Sequence, residues 1–370
     1  MKFCEECFSN IEIQAIIKSF GTVGHCDINR NHTDVHTVEI ENDTQMTPIR
    51  DILRQIIDIY KPKADLPANF PMSKLKSLHD SLATKWSIFN LNGESIYTII
   101  AELYKNDENI DKRLLQEFVG VKEEFVTDNH KLIVKDNDWD KFANAIKYQN
   151  RFHTQNINLQ LLNHFLKFTE SIIKPEDFLL YRCRISNSEP IDISGMYAPP
   201  KEKASAGRLN SQWISHLYLG DDELACIQEV RAGFHDNVYI GEFKLKEPIK
   251  VVDLRHFEDK TLDFRDELQL EYYLNRDTFI RISNELAKPA NNDDKYIHYL
   301  PLQYMSDFIK SSDEKFQGIL YKSVMNENAT NLLLFNPNLV ECERVKRKQS
   351  NILTINTVDN AALNVLNHCK

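Results

Sequence analysis

The chain lacks several features that would assign it to a familiar class. It has no apolar run of about eighteen residues, the length that crosses a bilayer, so no transmembrane helix is predicted. The opening stretch MKFCEECFSN contains acidic residues and no signal-peptide core, which predicts a cytoplasmic location. The glycine motifs of Rossmann cofactor sites, P-loops and α/β-hydrolase elbows are also missing, so those three kinds of site have no support.

Basic residues are fewer than acidic residues in this sequence. The chain has 55 acidic residues and 45 lysines and arginines, a net charge of -10, which argues against a broad nucleic-acid surface, so no nucleic-acid partner is expected. With no transmembrane candidate, no membrane partner is expected either. The tight basic cluster VKRK at 345–348 is interpreted as a solvated face. With 370 residues, 42% apolar and 27% charged, the chain has the composition of a folded protein of about two domains.

Three of the 7 cysteines lie close together near the start of the chain. In a reducing compartment cysteines are expected as core residues, metal ligands or nucleophiles rather than as disulfides. Cys4 and Cys7 form a C-x-x-C element, and Cys26 follows at an interval compatible with a zinc ribbon or knuckle. Residues 1–40 are therefore interpreted as a Cys/His hairpin.

The fourth ligand of such a hairpin is not obvious. Asn29 stands where a second cysteine of the pattern would stand, and asparagine is a poor zinc ligand. His25, His32 or His36 would have to substitute, and the predicted ligand set adds His25 to the three cysteines. Two hypotheses stay open: a structural zinc, or a hairpin derived from a metal site that folds without metal. No H-E-x-x-H motif accompanies the cysteines, so a catalytic metal is not predicted.

From residue 47 to residue 168 apolar residues recur at helical spacing, with polar residues between the segments. The first segment, TPIRDILRQIIDIY, predicts a helix with Thr47 as its cap and Pro48 at its first position. After Pro175 short apolar runs are bounded by Gly, Pro, Asn and Asp, which is typical of strands. We therefore predict an α-helical domain over 41–172, a second domain over 173–342 and a tail over 343–370 that packs on the core.

Strands alternate with a helix in the second half. FLLYRCR and HLYLG predict strands, and NVYIGEFKL and IKVVDL predict a strand pair joined around Glu247 and Pro248. DDELACIQEVR predicts a helix with Asp221 as its cap. Glu229 falls near the C-terminal end of this helix, where a carboxylate gains nothing from the helix dipole. Such a placement indicates another role, with an ion pair to Arg231 as the alternative.

The stretch from residue 178 to residue 229 gathers the residue types of an active site. Arg182 and Arg208 offer guanidinium groups for phosphate, and Tyr218 offers an aromatic face for a flat ring. Glu229 offers a carboxylate for developing positive charge. A cleft that binds an anionic substrate and stabilises a transient cation needs all three types.

Short motifs through residues 176–342 carry a family resemblance. They are Tyr181-Arg182, Met-x-Ala-Pro-Pro at 196–200, Gly-Arg-Leu-Asn at 207–210, Leu-Tyr-Leu at 217–219, Gln-Glu-Val at 228–230, Val-Val-Asp-Leu at 251–254, GILYKS at 318–323 and LLLF at 332–335. Together they resemble the RES family, whose domain is named for its Arg, Glu and Ser residues. The N-terminal half is similar to the Cys-rich helical domain found ahead of some RES domains.

The resemblance implies an α+β chain, with a mainly helical N-terminal domain followed by an ADP-ribosyltransferase-like mixed α/β domain. It also implies an enzyme that degrades NAD and acts as a bacterial toxin, commonly restrained by an antitoxin protein. The family's catalytic Arg, Tyr and Glu correspond to Arg208, Tyr218 and Glu229. Arg182 and Ser323 match further pocket positions.

In that chemistry NAD is the substrate, and no cofactor is required for catalysis. Glu229 would stabilise the oxocarbenium-like ribose, while Arg182 and Arg208 would clamp the pyrophosphate. Ser323 would fix the bound pose, and Tyr321, two residues earlier on a predicted strand, would point to the same face. Water or phosphate would be the acceptor, giving hydrolysis or phosphorolysis.

Other functions stay open on the sequence alone. One is a non-catalytic nucleotide-binding or sensing protein with a degenerate RES pocket. A weaker one is a nucleic-acid-directed enzyme, which the acidic net charge disfavours. Cys183 and Cys226 lie near the candidate site and are interpreted as small buried hydrophobes rather than nucleophiles. Formation of a homo-oligomer is also left open.

Overall fold

The fold is α+β in a computed structural model that describes residues 1–125, 128–255, 268–288, 295–326 and 328–350. The strands are β1 (Lys2–Cys4), β2 (Thr22–Gly24), β3 (Val35–Glu39), β4 (Lys61–Pro62), β5 (Val119–Gly120), β6 (Glu170–Ile173), β7 (Leu180–Ile185), β8 (Leu217–Gly220), β9 (Asn237–Leu245), β10 (Ile249–Asp253), β11 (Gly318–Lys322), β12 (Thr330–Leu334) and β13 (Val340–Gln349). The helices are α1 (Ile11–Phe20), α2 (Asp43–Ile57), α3 (Leu78–Lys85), α4 (Gly93–Leu103), α5 (Arg113–Gln116), α6 (Trp139–Tyr148), α7 (Leu159–Phe168), α8 (Glu223–Glu229), α9 (Gln269–Ala287) and α10 (Lys295–Ser311). Within these described ranges, none of the helices has the length and hydropathy needed to cross a membrane.

The chain divides into two compact units, and the division is not sequential. The first unit contains Met1–Ser171 and Val252–Glu314, and the second contains Ile172–Val251 and the chain from Lys315 onward. Helices α9 and α10 thus belong to the first unit, although the predicted second domain covers their residues. Aromatic contacts explain this: Tyr272 of α9 stacks on Trp86 at 5.6 Å between ring centroids, and Tyr304 of α10 lies 5.8 Å from Phe142.

The first unit is built mainly from helices that bury one face. In α2 the side chains of Ile49, Leu53 and Ile56 are all 0% exposed, as the helical spacing predicts. The predicted start of this helix is wrong, because the cap is Asn42, whose side chain accepts a hydrogen bond from the N–H of Gln45 at 3.4 Å. The helix cap is therefore five residues earlier than the Thr-Pro signal indicates.

Residues 1–40 form more than a hairpin. Strands β1, β3 and β2 make a small antiparallel sheet in that order, with β3 in the middle. Helix α1 lies between β1 and β2 in the chain and packs on this sheet. Its cap is Asn10, whose side chain accepts from the N–H of Ile13 at 2.9 Å.

The second unit is organised by an eight-stranded sheet in the order β13-β9-β7-β8-β12-β11-β10-β6. The predicted pairing of β9 with β10 is wrong, because β7 and β13 occupy the two sides of β9. Only residues 246–248 join β9 to β10, and such a link spans at most about 15 Å. In a flat sheet the five strand spacings from β9 to β10 would cover about 24 Å. The sheet therefore folds over on itself.

The core of this unit lies inside the folded sheet. Leu180, Leu219, Phe243, Leu332 and Val340 come from five different strands and belong to one buried cluster. Strand β13 pairs with β9 along its whole length, so residues 343–349 of the predicted tail are part of the sheet. The rest of the predicted tail, residues 351–370, lies outside the described residues, so its packing on the core stays a prediction.

Candidate active site

A recess opens where β7 and β8 separate. Among the described residues these strands share the single register pair Tyr181–Gly220, and beyond it they diverge. Arg182 from β7 and Tyr218 from β8 are among the lining residues. The recess has a volume of about 190 Å³. Typical small-molecule pockets measure roughly 300 Å³ or more, so this one has room for part of a larger ligand.

Helix α8 brings a carboxylate to this recess. The side chain of Asp222 caps the helix, one residue later than predicted. Asp221 instead accepts a hydrogen bond from the N–H of Thr330 on β12 at 2.7 Å, which ties the loop before the helix to the sheet. Glu229, the last residue of α8, lines the recess.

Two side chains from the sheet hold the carboxylate of Glu229. The hydroxyl of Ser323 donates to Oε1 at 3.0 Å, and the side-chain amide of Asn331 donates to the same oxygen at 2.7 Å. Both donors are buried, at 4% and 5% exposure. Oε2 accepts no hydrogen bond from any residue of the described ranges. The carboxylate is thus fixed in one orientation, with one oxygen left for a ligand.

Arg182 places an unsatisfied positive group in the same recess. Its Nη1 is buried and has no hydrogen-bond partner among the described residues. Burial, and then the charge of Arg184, lower the pKa of Arg182 to about 10. The group is still protonated at neutral pH. A buried guanidinium without a counter-charge is expected to attract an anion, because an unpaired buried charge is costly.

The hydroxyl of Tyr218 is committed to a neighbouring loop. It donates to Oδ1 of Asn210 at 2.8 Å and accepts from the N–H of Leu209 at 3.1 Å. The loop approaches so closely that a Cβ on Gly207 would meet Asn210 Oδ1 at 2.4 Å and the Tyr218 hydroxyl at 2.9 Å. The tyrosine ring, rather than its hydroxyl, is therefore the part presented to the recess.

Arg208 lies on this loop and is half-buried. It is not among the residues that line the recess. Burial raises the pKa of Tyr321 well above its usual range, the charge of Glu229 raises it further and the charge of Arg208 opposes the rise. Among the residues predicted from sequence, Arg182, Tyr218, Glu229 and Tyr321 line the recess, Ser323 binds Glu229, and Arg208 is on the adjoining loop.

Two cysteines in the lining are poor nucleophiles. Burial raises the pKa of Cys183 to about 12 and raises that of Cys226 further. The helix that carries Cys226 packs tightly on β8, since a Cβ on Gly220 would meet Sγ of Cys226 at 2.6 Å. Both thiols therefore act as packing groups at neutral pH.

Sequence reasoning missed two asparagines that organise the site. Asn331 is the second residue of β12, ahead of three leucines, and an amide in a fully buried strand is the available signal. Asn210 ends the Gly-Arg-Leu-Asn motif, and the sequence alone predicts no role for it. Its Nδ2 donates to the carbonyl groups of Ser205, Ser211 and Ile214 at 3.0, 3.2 and 2.9 Å. It therefore fixes the loop that positions Tyr218.

A second polar group lies in the first unit. The ligand atoms of Cys4, Cys7, Cys26 and His32 all lie within 4.8 Å of one another. His25, the predicted fourth member, is exposed and outside this group. The chain turns back on itself between residues 26 and 32, with the N–H of Cys26 donating to the carbonyl of His32 at 3.2 Å, and this turn brings His32 to the sulfur atoms.

The third histidine considered from the sequence has a different partner. Nδ1 of His36 lies 3.1 Å from Oε1 of Glu5, a carboxylate that is 9% exposed. His32, by contrast, directs Nδ1 at the sulfur atoms and is the histidine that the cysteines share.

Comparison with known proteins identifies one part of the chain. Residues 179–354 match the family model described as the RES domain. This match contains the recess, helix α8 and strands β7 to β13. No curated protein and no solved structure matches the chain.

Proposed function

With a RES domain over residues 179–354 as the premise, we propose that the chain is an enzyme that cleaves the bond between nicotinamide and ribose in NAD. The observation that carries the proposal is the pair of charges at the recess. Within the described residues, Glu229 is held by Ser323 and Asn331 through one oxygen while the other accepts no hydrogen bond, and Nη1 of Arg182 is buried without a hydrogen-bond partner. A cationic sugar and an anionic phosphate on one substrate would satisfy both.

The reaction would proceed through positive charge on the ribose. The bond from C1′ to the nicotinamide nitrogen breaks, and its electron pair leaves with the nicotinamide, whose ring becomes neutral. Positive charge then develops on C1′ and the ring oxygen, and Oε2 of Glu229 would bind the ribose hydroxyls and stabilise that charge. An oxygen of water or of inorganic phosphate adds to C1′ and loses its proton, giving ADP-ribose or its phosphorylated form.

The size of the recess limits how much of NAD would enter it. A volume of about 190 Å³ is too small for the whole dinucleotide. The nicotinamide riboside end would occupy it, with the ring of Tyr218 against the nicotinamide. The pyrophosphate would then reach the guanidinium groups of Arg182 and Arg208. Arg208 could approach it from the loop that Asn210 fixes.

Asn331 and Ser323 would act as positioning residues. Both donate to Oε1, so they restrain the carboxylate without occupying the oxygen that faces the substrate. A fixed carboxylate needs no reorganisation as charge develops, which is how preorganised groups lower a barrier. Tyr321 would close the buried side of the recess.

An enzyme of this kind would be harmful to the cell that contains it. We therefore propose that the protein acts as a toxin and that an antitoxin protein neutralises it. Whether it forms a homo-oligomer, and whether water or phosphate is the acceptor, stays open in this proposal. The proposed reaction requires no cofactor. A protein that binds NAD without cleaving it would use the same guanidinium and the same carboxylate.

The test is NAD loss and nicotinamide release by the purified full-length protein, with and without inorganic phosphate. Glu229→Gln keeps the shape and removes the charge, so turnover should fall by about 100-fold or more. Glu189→Gln, at an exposed glutamate in the same unit, is the matched control and should leave turnover unchanged. A requirement for phosphate would name the acceptor.

The same experiment can refute the proposal. Folded wild-type protein that binds NAD in calorimetry and releases no nicotinamide would indicate the non-catalytic binding protein. Equal turnover in wild type and Glu229→Gln would remove this glutamate from the mechanism.

A further inference from the structure

Three thiols and one imidazole form a compact group at the start of the chain. The sulfur atoms of Cys4 and Cys7 lie 3.6 Å apart, and those of Cys7 and Cys26 lie 3.5 Å apart. Nδ1 of His32 lies 3.2 Å from Sγ of Cys4 and 4.0 Å from Sγ of Cys7. We propose that these four residues bind one structural zinc ion, a site that is independent of the proposed enzyme activity.

The separations have the size of a zinc tetrahedron. With Zn–S bonds of about 2.3 Å and Zn–N bonds of about 2.0 Å, the edges between ligand atoms are about 3.8 Å for two sulfurs and about 3.5 Å for a sulfur and a nitrogen. Four of the six observed separations lie within about 0.5 Å of these edges. All six are within 4.8 Å, so the four ligand atoms surround a space of the size that a single ion needs.

A disulfide does not account for the group. Bonded sulfur atoms lie about 2.05 Å apart, and the cysteines here are free and buried. Three buried thiols next to an imidazole offer few hydrogen bonds to one another, since thiols are weak donors and weak acceptors. Soft sulfur ligands with one imidazole in tetrahedral array favour zinc among the common divalent metals.

The surrounding chain supports the ligands. The N–H of Asp27 donates to the carbonyl of Lys2 at 3.0 Å, and the N–H of Lys2 donates to Oδ2 of Asp27 at 2.7 Å. These bonds hold the loop that carries Cys26 against strand β1.

Asn29, which stands where the sequence pattern has a cysteine, lies beside the ring of His32. Its side-chain amide lies 3.0 Å from Nε2 of His32, the ring nitrogen that faces away from Cys4 and Cys7. Oε2 of Glu6 lies 3.7 Å from the same nitrogen. Metal-bound histidines commonly donate their second ring N–H to such a carboxylate. His32 thus replaces the missing cysteine as a ligand, and the carboxylate of Glu6 is the acceptor that would orient the ring.

The first measurement is the metal content of the full-length, untagged protein purified under reducing conditions. We expect about one zinc per chain and negligible iron or copper. Replacement of zinc by Co²⁺ should give the intense visible absorption of tetrahedral cobalt with thiolate charge-transfer bands. Protein that is folded, has its thiols reduced and contains no metal would overturn the proposal, as would stoichiometric iron.

Histidine variants test the ligand set without removing a cysteine. His32→Ala should lose at least about 10-fold in zinc affinity, the range found for perturbed metal shells. His32→Cys should keep the metal and add a thiolate band to the cobalt spectrum. His25→Ala is the matched control at an exposed histidine and should bind zinc as the wild type does. Equal loss of zinc in His25→Ala and His32→Ala would contradict the assignment.

Discussion

The first unit contains the group of Cys4, Cys7, Cys26 and His32, and the second unit contains the recess beside Glu229. The two sites differ in how their side chains are arranged. In the first unit four ligand atoms lie within 4.8 Å of one another, and residues 4–32 supply all of them. In the second unit the side chains surround a space of about 190 Å³, and the chain from residue 181 to residue 331 supplies them. Ligand atoms this close together suit a single ion, whereas a lined cavity suits a molecule. Disrupting the first should cost stability, and disrupting the second should cost chemistry.

Cys26→Ser should give the largest effect on stability. If zinc holds the group together, removal of one thiolate should lower the free energy of unfolding by about 3 kcal/mol or more. Nicotinamide release per folded molecule should stay unchanged. Thermal unfolding with and without a zinc chelator measures this: the chelator should destabilise the wild type and leave the variant unaffected.

The matched control for that experiment is Cys342→Ser. This cysteine is also buried, at 4% exposure. It lies on β13, away from the other thiols in the described part of the second unit. Its variant should lose about 1 kcal/mol and keep its response to the chelator. Equal sensitivity of wild type and Cys26→Ser to the chelator would contradict the comparison.

Arg182→Met should raise the stability of the protein and lower its activity. The pKa of Arg182 is about 10 in the folded protein, below its ordinary value of 12.5, so the protonated group destabilises the fold at neutral pH. Its removal should raise the melting temperature by roughly 2 to 4 °C. Turnover of NAD should fall by about 100-fold, because the anion loses its guanidinium partner.

Arg184→Met is the control on the same strand. Its Nη1 donates to the carbonyl of Gly195, so its removal should lower the melting temperature. A lower melting temperature for Arg182→Met as well would show that its guanidinium stabilises the fold, contrary to the unpaired charge described above.

Asn331→Asp should move the acid limb of the pH–rate profile. The change replaces a donor to Glu229 by a second carboxylate, and two adjacent carboxylates raise the pKa of one of them. Because the reaction needs Glu229 ionised, activity should be lost at a higher pH than in the wild type and recover as the pH rises. Asn338→Asp, at an exposed asparagine, should leave the profile in place.

Gly207→Ala should have the smallest effect. The new Cβ would push Asn210 from the Tyr218 hydroxyl, where contacts of 2.4 and 2.9 Å leave no room. We expect a loss of a few-fold in turnover, since the tyrosine ring loses its anchor, and a cost of about 1 kcal/mol in stability. Gly24→Ala, whose Cβ would lie 3.5 Å from its nearest neighbour, is the neutral comparison. An unchanged KM and kcat in Gly207→Ala would argue against the positioning role of this loop.

Sequence patterns predicted best what depends on near neighbours in the chain. The buried positions Ile49 and Leu53 follow from helical spacing, and the strands at Leu180–Ile185 and Leu217–Gly220 follow from short apolar runs. Helix starts were harder, because several residues can cap the same helix. Asn42 and Asp222 serve where Thr47 and Asp221 were expected.

The arrangement of strands could not be predicted in the same way. A link of three residues between β9 and β10 is typical of a hairpin, yet β7 and β13 flank β9. Which strand pairs with which depends on burial of the whole apolar set, not on the length of one link. The same limit applies to helices α9 and α10, whose aromatic side chains pack in the first unit.

The sequence by itself determined the α+β class, the RES motifs and the identity of Arg182, Tyr218 and Glu229 as candidates, because residue type and local spacing carry that information. Only the tertiary structure decided that Asn331 holds Glu229 and that His32, not His25, joins the cysteines. Asn331 and Glu229 are 102 residues apart, and sheet register brings them together. The choice of histidine depends on how one loop turns, and spacing alone leaves that direction open.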